Sequence, residues 1–236
     1  MLTAVTHRGS VRPTNQDAVL ARRLADGAAL LAVADGVGGY PGGEVAAALA
    51  IAAVDAVAGA APAGAAPAEV LAGACREADR RVRAAQAGAH AHMCTTLVAG
   101  LVRDGRAWVA NVGDSRAYAL VGGTLTQITA DHSWVEEEVR AGRLGRDDPR
   151  AAAQRHVITR AIGGGAPLEV DRFGPLALAR GDALLLCSDG LHGYVADAAI
   201  ADALAPPDAL AAERLVALTL ERGGIDNVAV ALLVQD

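Results

Sequence analysis

Asp17-Ala-Val-Leu-Ala-Arg-Arg-Leu-Ala-Asp-Gly-Ala-Ala-Leu-Leu-Ala-Val-Ala-Asp35 reads as two apolar runs folded back on each other. Asp26-Gly27 at its centre is a strong hairpin signal, because Asp and Gly tolerate the backbone that a tight turn requires. It separates Ala18–Leu24 from Ala28–Ala34. Counted outward from this turn, Asp17 and Asp35 fall at nearly equal distances. A two-residue loop then makes them near neighbours across the strands, at the same end. Carboxylates at strand ends are exposed by the loops and held still by the sheet.

Three more segments repeat this placement of an Asp beside Gly, Ser or Asn against an apolar run. They are Val112-Gly-Asp-Ser-Arg-Ala-Tyr118, Cys187-Ser-Asp-Gly-Leu191 and Asp226-Asn-Val-Ala-Val230. One such Asp is a turn former, and Asp26 and Asp104 are read that way. Several together, joined by Arg12 and Asp17 of Arg12-Pro-Thr-Asn-Gln-Asp17, point to one all-oxygen metal site. Hard oxygen donors favour Mg²⁺ or Mn²⁺ over zinc.

The remaining pattern predicts an α+β fold. Helices are expected over Glu44–Val57 and Glu69–Ala85, the second with Val70, Leu71, Ala74, Cys75, Ala78, Val82 and Ala85 on one face. Asp104-Gly105, Gly113-Asp114 and Gly122-Gly123 divide Thr95–Arg103, Arg106–Val112, Ser115–Val121 and Thr124–Ile128 into a β-meander. Ser133-Trp-Val-Glu136 fits a capping box opening a helix to about Arg140. Periodicity then lapses from Ala141 to Arg155, which reads as a mobile, charged loop. Leu168–Phe173, Ala183–Cys187 and Val228–Val234 are expected strands. Asp197–Leu204 and Asp208–Glu221 are expected helices, the latter with Asp208 as N-cap.

Composition narrows the function. The net charge of −6 disfavours nucleic-acid binding through bulk electrostatics. All 21 basic residues are Arg, so phosphate recognition has to be argued position by position. Cys75, Cys94 and Cys187 are odd in number and lie in apolar contexts, as reduced thiols of a cytoplasmic protein would. No secretory signal is evident, nor a run of about 18 uncharged, strongly apolar residues that would span a membrane. Site candidates run from Arg12 to Asp226 without a dividing linker, so residues 1–236 are read as one domain.

Taken in order, the motifs resemble those of the metal-dependent type 2C protein phosphatases in their compact bacterial form. Arg12-x-x-Asn-Gln-Asp17, Val33-Ala-Asp-Gly-Val-Gly-Gly39, Thr95-Thr96, Val112-Gly-Asp-Ser-Arg116, Thr129-Ala-Asp-His-Ser133, Ile158-Thr-Arg-Ala-Ile-Gly163, Cys187-Ser-Asp-Gly-Leu191 and Asp226-Asn227 carry the likeness. It implies a four-layer α/β/β/α sandwich of two antiparallel sheets flanked by helices, with the metal site at one end. The implied activity is hydrolysis of phosphoserine and phosphothreonine in proteins by a water bridging two divalent ions.

By that resemblance Asp35 bridges two Mn²⁺ or Mg²⁺ ions, the Gly36 carbonyl completes one site, and Asp189 and Asp226 hold the other. Asp17, beside Asp35 by the hairpin count, binds or orients the metal's waters. Arg12 is the phosphate clamp, its fork matching two phosphate oxygens. For Asp114 two readings stand: a turn residue, or a ligand of a third ion. The segment 141–155 becomes a flap beside the cleft. Phosphorylated proteins are the implied partners, with a cognate kinase, for a monomer that binds neither nucleic acid nor membrane.

Three departures from the family pattern stand out. Val37 replaces the His that animal members use to protonate the leaving oxygen, Tyr40 replaces a common His, and Cys94 a usual Gly. His90-x-His92 reads as a loop entering a strand, His132 as part of a helix start, and His7, His156 and His192 carry no assigned role. A pseudophosphatase that only binds phosphopeptides is the main alternative, and a two-metal nuclease is disfavoured by the acidic charge.

Overall fold

Every residue from Ala29 to Ala34 is buried, and successive side chains enter different cores. Ala29, Leu31 and Val33 face one apolar layer, while Leu30, Ala32 and Ala34 face another. A strand alternates its side chains with period two. An unbroken apolar run is therefore what a strand covered on both faces requires. Val228–Val234 obeys the same rule, with Val228, Val230, Leu232 and Val234 on one side and Ala229, Ala231 and Leu233 on the other.

This computed structural model describes residues 1–38, 41–145, 148–205, 208 and 210–235. Gly39, Tyr40, Arg146 and Asp147 lie outside the described residues. The elements are β1 (Leu2–His7), β2 (Asp17–Arg23), β3 (Ala29–Asp35), α1 (Gly43–Ala60), α2 (Pro67–Ala85), β4 (Leu97–Arg103), β5 (Arg106–Val112), β6 (Arg116–Val121), β7 (Thr124–Gln127), α3 (Trp134–Arg140), α4 (Pro149–Gln154), β8 (Asp171–Ala177), β9 (Ala183–Cys187), α5 (Asp189–His192), α6 (Asp197–Ala203), α7 (Ala211–Glu221) and β10 (Val228–Val234). One sheet runs β1-β10-β9-β6-β7 and the other β2-β3-β4-β5-β8, with every pairing antiparallel.

One core lies between the sheets, a second under α1 and α2, a third under α5, α6 and α7. That is the four-layer sandwich. By length and apolarity α1, with a mean hydropathy of 1.6, could cross a membrane. In this fold it buries Ala46, Ala47, Ala50, Ala53 and Val54 in the core shared with β3, β4 and α2.

The hairpin register matches the count from sequence: Asp17 pairs with Asp35. The loop is a residue longer than expected, because Leu24 N–H still bonds Ala28 O at 2.8 Å and only Ala25, Asp26 and Gly27 remain outside the ladder. The expected meander is corrected. β4 and β5 belong to one sheet, β6 and β7 to the other, so Gly113-Asp114-Ser115 is a crossing between sheets and not a hairpin turn. Gly and Asp suit either geometry, which is why local sequence did not separate them.

Smaller differences follow the same logic. The expected loop 141–155 contains α4, begun by Asp148, whose Oδ1 accepts from Arg150 N–H at 2.9 Å. α3 starts as expected, Ser133 Oγ accepting from Glu136 N–H at 3.3 Å. α7 begins at Ala211, while Asp208 accepts from Leu210 N–H at 2.8 Å just ahead of it. β8 starts at Asp171, three residues after the expected Leu168.

Asn227 joins the two ends of the chain. Its Nδ2 donates to Arg8 O and Thr14 O at 2.8 and 2.9 Å, and its Oδ1 accepts from Gln16 N–H at 2.8 Å. The side chain is thereby spent holding segment 8–16 against the start of β10. Asn227→Ala strands three backbone groups, so it is expected to cost about 3 kcal/mol. Denaturant titration measures this directly, and a loss within error of zero would show that water replaces the amide.

Candidate metal centre

The site begins with backbone positions. Asp35 ends β3, where Thr95 and Thr96 grip it. Its N–H donates to Thr96 Oγ1 at 3.0 Å, and its carbonyl accepts from Thr95 Oγ1 at 2.8 Å and Thr96 N–H at 2.9 Å. Thr96 Oγ1 is in turn 2.7 Å from Ser115 Oγ, on the segment crossing between sheets. Gly36 follows with its N–H on Gln16 O at 3.1 Å. A Cβ there would run into the Gly43 carbonyl and come within 2.8 Å of Gln16 O, so packing of the α1 start demands glycine.

Asp189 opens α5 and Asp226 precedes β10. These two stand together because α5 is pressed onto β10: a Cβ on Gly190 would overlap the Asn227 carbonyl. Asp114 sits on the crossing segment, held on both sides. Gly113 N–H donates to His132 Nδ1 at 3.0 Å, and His132 N–H donates to Gly113 O at 3.0 Å. His192 Nε2–H donates to Asp114 O at 3.1 Å. His132, read from sequence as part of a helix start, thus mainly fixes the Gly113-Asp114 bend. Its other ring nitrogen reaches Asp171 Oδ2 at 3.1 Å.

Arg12, Asp35, Gly36, Asp114, Asp189 and Asp226 all line one cleft of about 300 Å³. Asp17 lies beneath it, buried, with Oδ2 accepting from Ser188 Oγ at 2.7 Å. Arg12 Nη2 donates to Asp226 Oδ2 at 2.8 Å. Of the candidate site residues only Asp17 is absent from the cleft lining, and it stands in register with Asp35, which is part of it. Val37 lines the cleft as well, and so does His156, which sequence reading left without a role. Gln16, Thr96, Asn227 and Ser188 fall inside the motifs quoted from the sequence, which carried no sign of their supporting hydrogen bonds. His90 instead packs against Gly42, away from the cleft lining. Cys75 and Cys187 are buried and free, burial pushing both thiols up to about 12.

The electrostatics are those of crowded carboxylates. Asp35 is raised well above the ordinary range, first by burial and then by Asp17, Asp189 and Asp114. Burial pushes Asp17 up to about 7, against the pull of the Ser188 hydrogen bond. Asp114 is pushed up to about 8 by burial and by Asp189. Asp189 is raised by burial and Asp226, with His156 and Arg12 working the other way.

Among the described residues no three His, Cys, Asp or Glu side chains are grouped so as to hold an ion as they stand. Arg12 occupies Asp226 instead. The donor chemistry nonetheless fits divalent ions. The donors are oxygens alone, their repulsion calls for positive charge, and Asp17 Oδ1 is buried without a hydrogen-bond partner.

A sequence model of the family described as Protein phosphatase 2C matches residues 6–222. The chain belongs to that family. It is 42% identical over 240 residues to serine/threonine protein phosphatase PstP of Mycobacterium tuberculosis, covering 97% of this chain and 44% of that protein. The chain thus spans less than half the length of that curated relative. The structure of the S. agalactiae serine/threonine phosphatase superposes with a TM-score of 0.90 at 30% identity, covering 100% of this chain and 99% of that one. The catalytic domain of PstP in complex with two manganese ions gives 0.82 at 37% identity, covering 100% and 98%.

The raised carboxyls set a pH dependence for the metal-free protein. Unfolded, an Asp titrates near its ordinary 3.8; folded, Asp17 does so near 7 and Asp114 near 8. Across that interval the folded state holds more protons than the unfolded chain, so stability falls as pH rises. With chelator present, Tm is expected to be higher at about pH 5 than at about pH 9, and saturating Mn²⁺ should remove most of the difference. A chelated protein whose Tm rises over the same interval would contradict these assignments.

Proposed function

We propose that this chain is a metal-dependent phosphatase that hydrolyses phosphoserine and phosphothreonine in proteins. Convergence of Asp35, Asp189, Asp226 and Arg12 on one cleft carries the reading. Family membership and two manganese ions in a PstP catalytic domain support it.

Asp35, the Gly36 carbonyl, Asp189 and Asp226 would hold two Mn²⁺ or Mg²⁺ ions. When bound, such a pair supplies Lewis acidity toward the phosphoryl oxygens and makes water a better nucleophile at neutral pH. The protein's own groups do the rest. Arg12, exposed at the rim and able to release Asp226, turns its fork to two phosphate oxygens. Asp17 accepts a hydrogen bond from below and keeps the water beside Asp35 oriented. Val37 has no proton for the leaving seryl or threonyl oxygen, so that proton has another source. Asp114, which lines the cleft with Asp189, would be a ligand for a third, weakly held ion rather than only a turn residue.

We treat residues 1–236 as one catalytic domain, because β1 and β10 from its two ends pair with each other. A cytoplasmic monomer acting opposite a protein kinase is the setting that fits. Segment 141–155 serves as the flap: His156, immediately after it, lines the cleft, and Arg155 Nε donates to His156 Nε2 at 2.9 Å.

Asp35→Ala and Asp189→Ala are expected to reduce phosphopeptide hydrolysis with Mn²⁺ to background. Their metal-free Tm should be equal to or above that of wild type, since each removes a repelling charge. Arg12→Ala should raise KM about tenfold or more with little change in kcat, a charge-assisted contact being lost from ground and transition state alike. Asp114→Ala should bind two Mn²⁺ by calorimetry and turn over slowly. Near wild-type turnover by Asp35→Ala would rule out the assigned centre.

Shortening the flap tip should impair phosphopeptide turnover more than that of an aryl phosphate too small to touch it. Equal losses on both substrates would make it a plain surface loop.

A further inference from the structure

Ser188 is fully buried between the end of β9 and the start of α5. Its hydroxyl meets partners on both sheets. Oγ accepts from the N–H of Ala229, on β10, at 2.9 Å. It donates to Oδ2 of Asp17, at the start of β2 in the opposite sheet, at 2.7 Å. A hydroxyl carries one proton, and here the carboxylate takes it.

The other half of the Asp17 carboxylate is in a different state. Oδ1 is buried and has no hydrogen-bond partner. Asp17 N–H is turned away to Asn15 Oδ1 at 3.2 Å, and the residue stands in register with Asp35. One oxygen is therefore tied down and one is left for Asp35 and whatever Asp35 binds. Rotation of the carboxylate by half a turn would exchange them, and the Ser188 proton holds Oδ2 on its own side.

The nearby hydroxyl pair, Thr96 and Ser115, does something else. Thr96 Oγ1 receives the Asp35 backbone N–H, so it sets the main chain and leaves the carboxylate untouched. Ser188 is the hydroxyl that acts on a site carboxylate directly. It also precedes Asp189, so the same short segment supplies one candidate ligand and orients a second carboxylate.

We propose that Ser188 is a positioning residue for the hydrolysis assigned above: its buried hydroxyl fixes the rotation of the Asp17 carboxylate and reserves Oδ1 for the Asp35 side of the cleft. This rests on the proposed phosphatase reading, and it adds a residue that touches neither substrate nor reacting atoms.

The test uses Ser188→Ala and Ser188→Cys, each made in wild-type and in Asp17→Ala protein. Phosphopeptide kinetics at saturating Mn²⁺, Mn²⁺ calorimetry and a crystal structure of Ser188→Ala are the readouts. Ser188→Ala should lower kcat about ten- to a hundredfold, the usual effect of losing a group that orients a site carboxylate. KM should stay close to wild type. Ser188→Cys, with its weak donor, should recover part of the loss. In Asp17→Ala protein neither change should lower kcat further, because the residue it acts through is gone. The crystal structure should show the Asp17 carboxylate rotated from its wild-type position.

Wild-type kcat in Ser188→Ala, losses that multiply with Asp17→Ala, or an unmoved Asp17 would each overturn the proposal. If Ser188→Ala does not fold, Ser188→Cys carries the comparison in both backgrounds. A wild-type protein inactive on every phosphopeptide would sink the phosphatase reading instead. The position of Asp17 and the Mn²⁺ titration would then still decide the role of Ser188.

Discussion

Like charges held close together in a medium poorer than water in screening repel strongly. Asp17, Asp35, Asp114, Asp189 and Asp226 are gathered at one end of this sandwich, and four of them are raised by burial and by one another. Nothing in the carboxylates themselves favours this arrangement. It persists because each backbone position is fixed by groups that are not acidic: Thr95 and Thr96 at Asp35, His132 and His192 at Asp114, Ser188 at Asp17, and Asn227 beside Asp226.

The two sheets make such fixing possible. Each central strand is covered on both faces, so the strand ends cannot shift without opening two cores at once. A bound cation would offset this repulsion without movement of the chain. Arg12 is about half exposed above these carboxylates and pairs with Asp226. Arg12 and His156 line the same cleft as Asp35, Asp114, Asp189 and Asp226.

Legibility in the sequence followed the range of the interaction. The pairing of Asp17 with Asp35 depends on one local turn and a strand period of two, and counting residues was enough even though the loop proved longer. Most helices and strands were recognised within a few residues for the same reason. The meander was misjudged because Gly113-Asp114 is locally a turn in either topology, and only the partners of β6 reveal the change of sheet. β1 was missed because its exposed, half-polar pattern differs little from a loop.

The sequence by itself determined that carboxylates sit at strand ends, that two of them share a hairpin end, and, through its ordered motifs, which family the chain belongs to. Those properties are written in neighbouring residues. Only the tertiary structure decided that Asp114 faces the cleft, that His156 lines it, that Arg12 pairs with Asp226, and that Ser188 reaches Asp17. These contacts join residues up to 214 positions apart. The hydrogen bonds and charges involved act over a few ångströms, so their partners exist only once the two sheets have packed.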